Sequence, residues 1–361
     1  GALTSLRELW ANDNTLTQVP SVIGLLTGLR DLRLSGNQLA AIPSEVCELG
    51  ELKTLRLSQN LLFQLPNQIC QLTSLTELTL IGNPIKELPL SMGAMVDHVR
   101  KLHLDPKHIM LPPVEVALRG VTESLKFLTL VKNATNDAKL NLDGLGLTEF
   151  PTGVLHLTSI TSLSANSNAF TELPLRIGVL SELKYLSIES NKLKTLPPSI
   201  GALTKLVTLS LLKNPMQILP PEVGQLRLLK TLQVDYNALQ VPPKEVASSG
   251  DASRLLKYLR CFVTAKETGE LLLDKYGLIV MPPDVLATAN VRKIVLSYNN
   301  LRGLPPDFGG LVSLEDLRLD HNRLQKVVAS IGGLAKLKIL HLNDNELTEL
   351  PNAIRKLTGL E

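Results

Sequence analysis

Apolar positions along this chain recur in an eleven-residue phrase, L-x-x-L-x-L-x-x-N-x-L, repeated with a 23-residue step. Its asparagines stand at Asn14, Asn37, Asn60 and Asn83, at Asn168, Asn191, Asn214 and Asn237, and at Asn299, Asn322 and Asn345. A short fixed period, each unit too small to bury a core alone, predicts a stacked solenoid. In the unit running from Leu52 to Leu62, Leu55 and Leu57 alternate with Arg56. That alternation is the period-two signature of a strand with one buried face. Asn60 ends the strand. Its amide both donates and accepts, so the stacked asparagines are predicted to form a ladder that satisfies buried backbone groups.

The limb that returns after the asparagine carries proline in one column: Pro20, Pro43, Pro66, Pro89, Pro113, Pro151, Pro174, Pro197, Pro220, Pro243, Pro282, Pro305 and Pro351, with Val328 the exception. Proline fixes φ and donates no hydrogen bond, so this limb is an extended segment or a short 3₁₀ turn, never a central strand. Ile23, Val46, Ile69, Ile177, Ile200, Val223, Val285 and Ile354 are expected to face inward there. Narrow strands on one side and wider limbs on the other predict an α/β solenoid shaped as a curved horseshoe. The parallel sheet lines its concave face, and extended or 3₁₀ limbs its convex face.

The full unit, seen in Leu193-Lys194-Thr195-Leu196-Pro197-Pro198-Ser199-Ile200-Gly201-Ala202-Leu203-Thr204-Lys205-Leu206, resembles the leucine-rich repeat family. The 23-residue length and the L-P-x-x-I-G pattern are similar to its intracellular, Ras-group-related class. Relatives of that class include plant intracellular repeat proteins, Ras-pathway scaffolds and the repeat arrays of Roco proteins. The resemblance implies a protein-binding surface, with a small GTPase, phosphatase or kinase component as partner. The family is defined by architecture, so the resemblance says more of fold than of function.

The asparagine column breaks at Lys107, Leu145 and Tyr276. The last two follow inserts at about 114–137 and 244–268, which echo each other. Pro112-Pro113-Val114-Glu115-Val116 matches Pro242-Pro243-Lys244-Glu245-Val246, Gly120 matches Gly250, and Leu125-Lys126-Phe127-Leu128 matches Leu256-Lys257-Tyr258-Leu259. Asn14, Leu145 and Tyr276 are spaced 131 residues apart, a superperiod of five repeats and one insert. Val121, Leu125 and Leu128, and Leu255, Leu259 and Phe262, have helical spacing. One amphipathic helix per insert is predicted, with Ser249 and Asp251 as candidate N-caps of the second. The expected division is sub-array 1–113, insert 114–137, sub-array 138–243, insert 244–268 and sub-array 269–361. The inserts read either as caps that shield a sub-array or as docking helices.

Hydrophobic residues make up 44% of the 361-residue chain and aromatics only 3%, which describes a core of many small aliphatic layers. A net charge of +3 argues for neither nucleic acid nor a membrane surface as partner, and no apolar run is long enough for membrane insertion. Cys47 and Cys70 lie 23 residues apart, in one column of adjacent layers, and Cys261 is remote from both. A Cys47–Cys70 disulfide is one reading; two small apolar residues in a reducing compartment is the other. With one sequon, Asn133-Ala134-Thr135, a cytoplasmic location is the expectation. Both ends fall inside a repeat, so the chain is read as a fragment of a longer polypeptide.

A search for chemistry finds no phosphate loop, no G-x-G-x-x-G, no H-E-x-x-H, no C-x-x-C and no G-x-S-x-G. No catalytic residue and no cofactor is therefore assigned, and the chain is read as no enzyme. Asp316, Arg318, Asp320, His321, His341 and Asp344 gather on neighbouring layers. They read as a metal cluster, a partner-contact patch or a solvated face; charges of both signs count against the metal.

The residues between the strand leucines form a central outward column: Trp10, Arg33, Arg56, Thr79, His103, Asn141, Ser164, Ser187, Ser210, Gln233, Leu272, Val295, Arg318 and His341. Tyr236 and Tyr298 follow the strand, and Tyr185 lies in the adjacent column. Fourteen strands span roughly 65 Å, enough to embrace a folded domain. Trp, Tyr and Arg anchor interfaces, so Trp10, Arg33, Arg56, Tyr185, Tyr236, Tyr298, Arg318 and His341 are the candidate partner-binding residues. Two functions follow: a non-enzymatic signalling scaffold that holds a protein on this face, or the regulatory region of a larger Roco GTPase, kinase or cyclase.

Overall fold

The computed structural model describes residues 3–106, 108–247, 251–288 and 290–361, in two compact units, Gly1–Phe170 and Thr171–Glu361. In the first, β1 (Glu8–Trp10), β2 (Asp31–Arg33), β3 (Thr54–Arg56), β4 (Glu77–Thr79) and β5 (Lys101–His103) form a parallel sheet in chain order. β6 (Lys139–Asn141) pairs with β7 (Ser162–Ser164) in the same sense. In the second, β8 (Tyr185–Ser187), β9 (Thr208–Ser210) and β10 (Thr231–Gln233) pair in order. So do β11 (Glu270–Leu272), β12 (Lys293–Val295), β13 (Asp316–Arg318) and β14 (Ile339–His341). Register follows the sequence period: Leu32 lies opposite Leu55, and Leu55 opposite Leu78. Every residue of the expected outward column is the last residue of its strand. Of the leucines before them, Leu32, Leu55, Leu78, Leu186, Leu209 and Leu317 are fully buried, whereas Leu9, Leu102 and Leu340 are half-buried.

Proline opens most return limbs in extended backbone, as at Pro66 (φ −64°, ψ 142°), and a five-residue 3₁₀ turn follows, closed by Ile69 N–H donating to Pro66 O at 3.0 Å. Val328 adopts the same conformation without the ring (φ −65°, ψ 144°), so proline reinforces a geometry that the layer imposes. Ile23, Val46, Ile69, Ile177, Ile200, Val223 and Val285 are buried; Ile354 is only half-buried.

The asparagine ladder forms, and it reaches backwards. Asn60 Nδ2 donates to Leu34 O of the preceding layer and to Leu57 O of its own, both at 3.0 Å, while its Oδ1 accepts from Leu39 N–H at 3.0 Å. Asn37, Asn83, Asn168, Asn214, Asn299, Asn322 and Asn345 make the same two-layer pattern, and Asn191 is buried alike. This direction explains the breaks at Leu145 and Tyr276: each follows a helix, with no repeat turn behind it to reach. There an insert arginine takes over, Arg119 donating to Leu145 O (2.5 Å) and Arg254 to Tyr276 O (2.6 Å). Lys107, the other break, lies outside the described residues.

Two asparagines depart from the expected ladder. Asn14 is exposed and bonds only within its own turn, to Asn12 O. Asn237 is exposed within the 3₁₀ turn Tyr236–Ala238. Elsewhere the residue before the asparagine is left-handed, as at Gln59 (φ 54°), Ser190 (φ 54°) and Gly82 (φ 76°), which swings the amide under the turn. Tyr236 does not take that conformation, and a carboxylate closes the preceding turn instead. Asp235 accepts from Lys213 N–H (2.8 Å), as Asp105 accepts from Gly82 N–H (2.7 Å) at the end of the first five layers.

The inserts hold two helices each where one was expected: α1 (Val114–Ala117) with α2 (Val121–Asp137), and α3 (Lys244–Ala247) with α4 (Ala252–Thr268). Another short helix, α5 (Pro283–Leu286), follows β11. The inward residues of α2 are Ser124, Leu125, Phe127, Leu128, Val131 and Ala134, those of α4 Leu255, Leu256, Tyr258, Leu259, Phe262 and Ala265. The two sets match position for position across the 131-residue superperiod, whereas Val121 is only half-buried. Asp251 is an N-cap, accepting from Ser253 N–H at 2.8 Å; Ser249 and Gly250 lie outside the described residues. No helix among the described residues is long and apolar enough to cross a membrane.

Candidate functional site

Three-residue strands place their first and third side chains on the face away from the leucines. In the first unit, Trp10 ends β1 and is 57% exposed. The Arg33 guanidinium lies 4.1 Å from its ring centroid, a cation–π contact. Arg33 is also gripped by Asp31 of the same strand, Nε at 3.1 Å from both carboxylate oxygens and one terminal nitrogen at 2.7 Å. That hydrogen bonding raises the guanidinium pKa further. Arg56 pairs with Glu77 of the next strand (3.1 Å), and Lys101 pairs with the same carboxylate (3.3 Å). Arg33, Arg56 and Lys101 are therefore neutralised on the face itself, and Trp10 stands exposed above a paired floor.

In the second unit, Tyr185 is exposed at the start of β8. Ser187 and Ser210, expected on the outward column, are buried, and Ser210 donates to Glu189 at 2.5 Å. Tyr236 is half-buried, and its hydroxyl donates to Leu232 O at 2.8 Å; desolvation raises its pKa. Further on, Tyr298 stacks on His321 at 4.2 Å between centroids, with Lys275 Nζ 5.3 Å from the tyrosine ring. His321 Nε2 lies 3.4 Å from Asp344. These four side chains share the left-handed column of consecutive layers. Arg318 is held by Asp316 within β13 at 3.1 Å, and His341 is exposed at the end of β14.

The cluster of Asp316, Asp320, His321, His341 and Asp344 is thus split among separate partners, Asp320 accepting from Ser297 at 2.6 Å. No group of three His, Cys, Asp or Glu among the described residues is placed to hold a metal ion. Cys47, Cys70 and Cys261 are free thiols. Sequence reasoning missed the charge pairing within the face, because acid and base share a strand or lie 21 or 24 residues apart, and none of these spacings belongs to the leucine pattern. It also missed the left-handed column, which glycines at 36 and 82 could have signalled.

Models of the leucine-rich repeat match residues 27–85 and 269–324, and a second such model matches 336–357. These stretches are leucine-rich repeats. Outside those stretches, β6 with β7 and β8 to β10 keep the 23-residue register, and Asn168 and Asn214 make the same two-layer bonds. No curated protein matches the chain in sequence. Among solved structures it is similar to a leucine-rich-repeat protein of Leptospira interrogans, at 28% identity over 99% of this chain and 84% of that one, with a TM-score of 0.31. It is also similar to an internalin of Listeria monocytogenes, at 18% identity over 99% and 86%, with a TM-score of 0.25. A third is the receptor-kinase ectodomain of Arabidopsis thaliana in complex with Casparian strip integrity factor 2, at 21% identity and a TM-score of 0.27; the chain spans 50% of its length.

Proposed function

We propose that this chain is a non-enzymatic scaffold that holds a protein partner against its strand faces, in intracellular signalling. The observation that carries the reading is the exposure of Trp10 and Tyr298 on faces whose arginines are already paired. Large aromatics standing among paired charges are the usual anchors of a protein interface. Three free thiols support a reducing, cytoplasmic location. The intracellular repeat class that the sequence resembles makes a small GTPase, phosphatase or kinase component the first partner to try.

The test is affinity across a strand-face series measured with one such purified partner. Trp10→Ala, Arg56→Glu, Tyr298→Ala and His341→Ala should each weaken binding, the aromatic changes by roughly tenfold or more, with unchanged circular dichroism melts. Equal affinity across the whole series would remove the face from the function.

A further inference from the structure

The second unit contains a groove that the repeat pattern does not explain. It lies between α4 and β11, where the insert helix precedes the strand, and it encloses about 580 Å³. Its apolar wall is built by Leu272, Tyr276 and Cys261, and Lys257 and Arg260 bring positive charge to it. Lys257 has no ion pair among the described residues. Arg260 uses Nε on Gly224 O at 2.8 Å, which leaves the terminal guanidinium nitrogens for another acceptor. The one carboxylate of the lining, Glu270, is 3.8 Å from Lys293 of the neighbouring strand.

The first insert supplies an internal comparison. Residues 131 positions earlier occupy the same places, as the two glycines under the helices show: a Cβ on Gly93 would meet Thr129 backbone N at 2.6 Å, and one on Gly224 would meet Arg260 N at 2.4 Å. In the first copy Glu123 neutralises Lys126 at 3.1 Å. In the second copy Arg254 stands where Glu123 would, so Lys257 loses that partner, and Arg254 lies over the Tyr276 ring at 5.9 Å. Arg260 replaces Thr129, Thr268 replaces Asp137, Leu272 replaces Asn141 and Tyr276 replaces Leu145; only Glu270, in place of Lys139, runs against the trend. The same scaffold was built twice, and only the second copy joins an aromatic wall to an unpaired cation.

We infer that this groove binds a small amphiphilic anion, a carboxylate carried on an aromatic or branched apolar body. The volume is that of small-ligand sites, the apolar body packs on Leu272 and Tyr276, and the carboxylate takes charge-assisted hydrogen bonds from Lys257 and Arg260. This site is independent of partner binding on the strand faces, because its probe is a small molecule and no protein partner enters the measurement.

The experiment uses the full chain and para-fluorophenylpropanoate, followed by fluorine NMR, with the matching primary amine as control. Alkylation of Cys261 by iodoacetamide, mapped by peptide mass spectrometry, gives a second readout, with Cys70 as internal reference. Saturable binding of the acid, slower alkylation of Cys261 but not of Cys70, and roughly tenfold weaker binding of the amine are expected. Lys257→Glu, at an exposed position, should cost roughly tenfold in affinity for the acid, and Leu272→Asp should abolish binding, both with unchanged melts. Equal binding of acid and amine, no saturation up to about 5 mM, or an unaffected Lys257→Glu variant would each overturn the assignment.

Discussion

At Asn60 one amide makes hydrogen bonds to two layers, and those to Leu34 O, Leu57 O and Leu39 N–H are buried. Removing it leaves Leu39 N–H without its partner and takes one of two ladder bonds from Leu34 O and from Leu57 O, which keep those from Asn37 and Asn83. Asn60→Ala should therefore lower stability by about 1–3 kcal/mol, read as a shift of the urea midpoint. Asn237→Ala, at an exposed position outside the ladder, should change it by less than about 0.5 kcal/mol. Tyr258 shows the opposite case. Its ring fills the place that Phe127 fills in the first insert, and its hydroxyl is buried with no hydrogen-bond partner among the described residues. Tyr258→Phe should be neutral or stabilising by about 1 kcal/mol in the same assay. Cys47 ties stability to pH. Burial, with help from Cys70, Glu45 and Glu48, pushes its thiol up from 9.0 to about 12. The unfolded chain loses this proton near 9.0 while the folded chain keeps it. The contribution is thus complete below that pH and drains away as pH rises towards 12. Urea midpoints should fall between about pH 8.5 and 10.5, and fall less in Cys47→Ala; parallel curves for the two proteins would exclude the thiol as the cause.

The elements that decide local architecture are the insert helices. Each lies so close on the 3₁₀ turn beneath it that only a glycine fits, and the same glycine occurs in both copies. A methyl group at either point meets helix backbone, which cannot swing aside as a side chain can. Gly93→Ala and Gly224→Ala should each cost about 1–3 kcal/mol by overpacking. Gly50→Ala, with nothing within 4 Å of the added carbon, should stay within about 0.5 kcal/mol. Because repeats contact only their neighbours, the loss of hydrogen-exchange protection should be confined to the altered insert and the layers beside it. A loss spread evenly over the chain would mean that the insert does not act as a local element.

For the whole molecule, the organising fact is that the strand-face arginines are paired. Arg33, Arg56 and Arg318 each hold a carboxylate on the face. A partner meeting such a surface gains little from free charge and must be held by apolar and aromatic contact. The proposed strand-face binding should therefore change by less than about threefold between 50 and 300 mM salt, since short ion pairs within one surface are little screened. A steep salt dependence, measured by titration with the purified partner, would place the interface on other, unpaired cations.

Much of this was legible in the residues. The 23-residue step set the register of the strand pairs, with one added residue between β4 and β5, because side chains of one column can be buried only if the layers stack in phase. The 131-residue echo pointed to a long helix in each insert, with Leu125, Leu128, Leu255, Leu259 and Phe262 facing inward. What the chain alone could not decide was where ends meet. The ladder reaches backwards, so an asparagine that has no repeat turn behind it has nothing to hold, and that is a property of the neighbour rather than of the residue. The short leading helix of each insert, the pairing of charges within the strand face, and the cation-lined groove beside α4 all arise from side chains brought together across layers. Periodicity determines which face a residue occupies; only the packed structure determines who stands opposite, and hydrogen bonds and ion pairs depend on distances of a few ångströms that no column of letters contains.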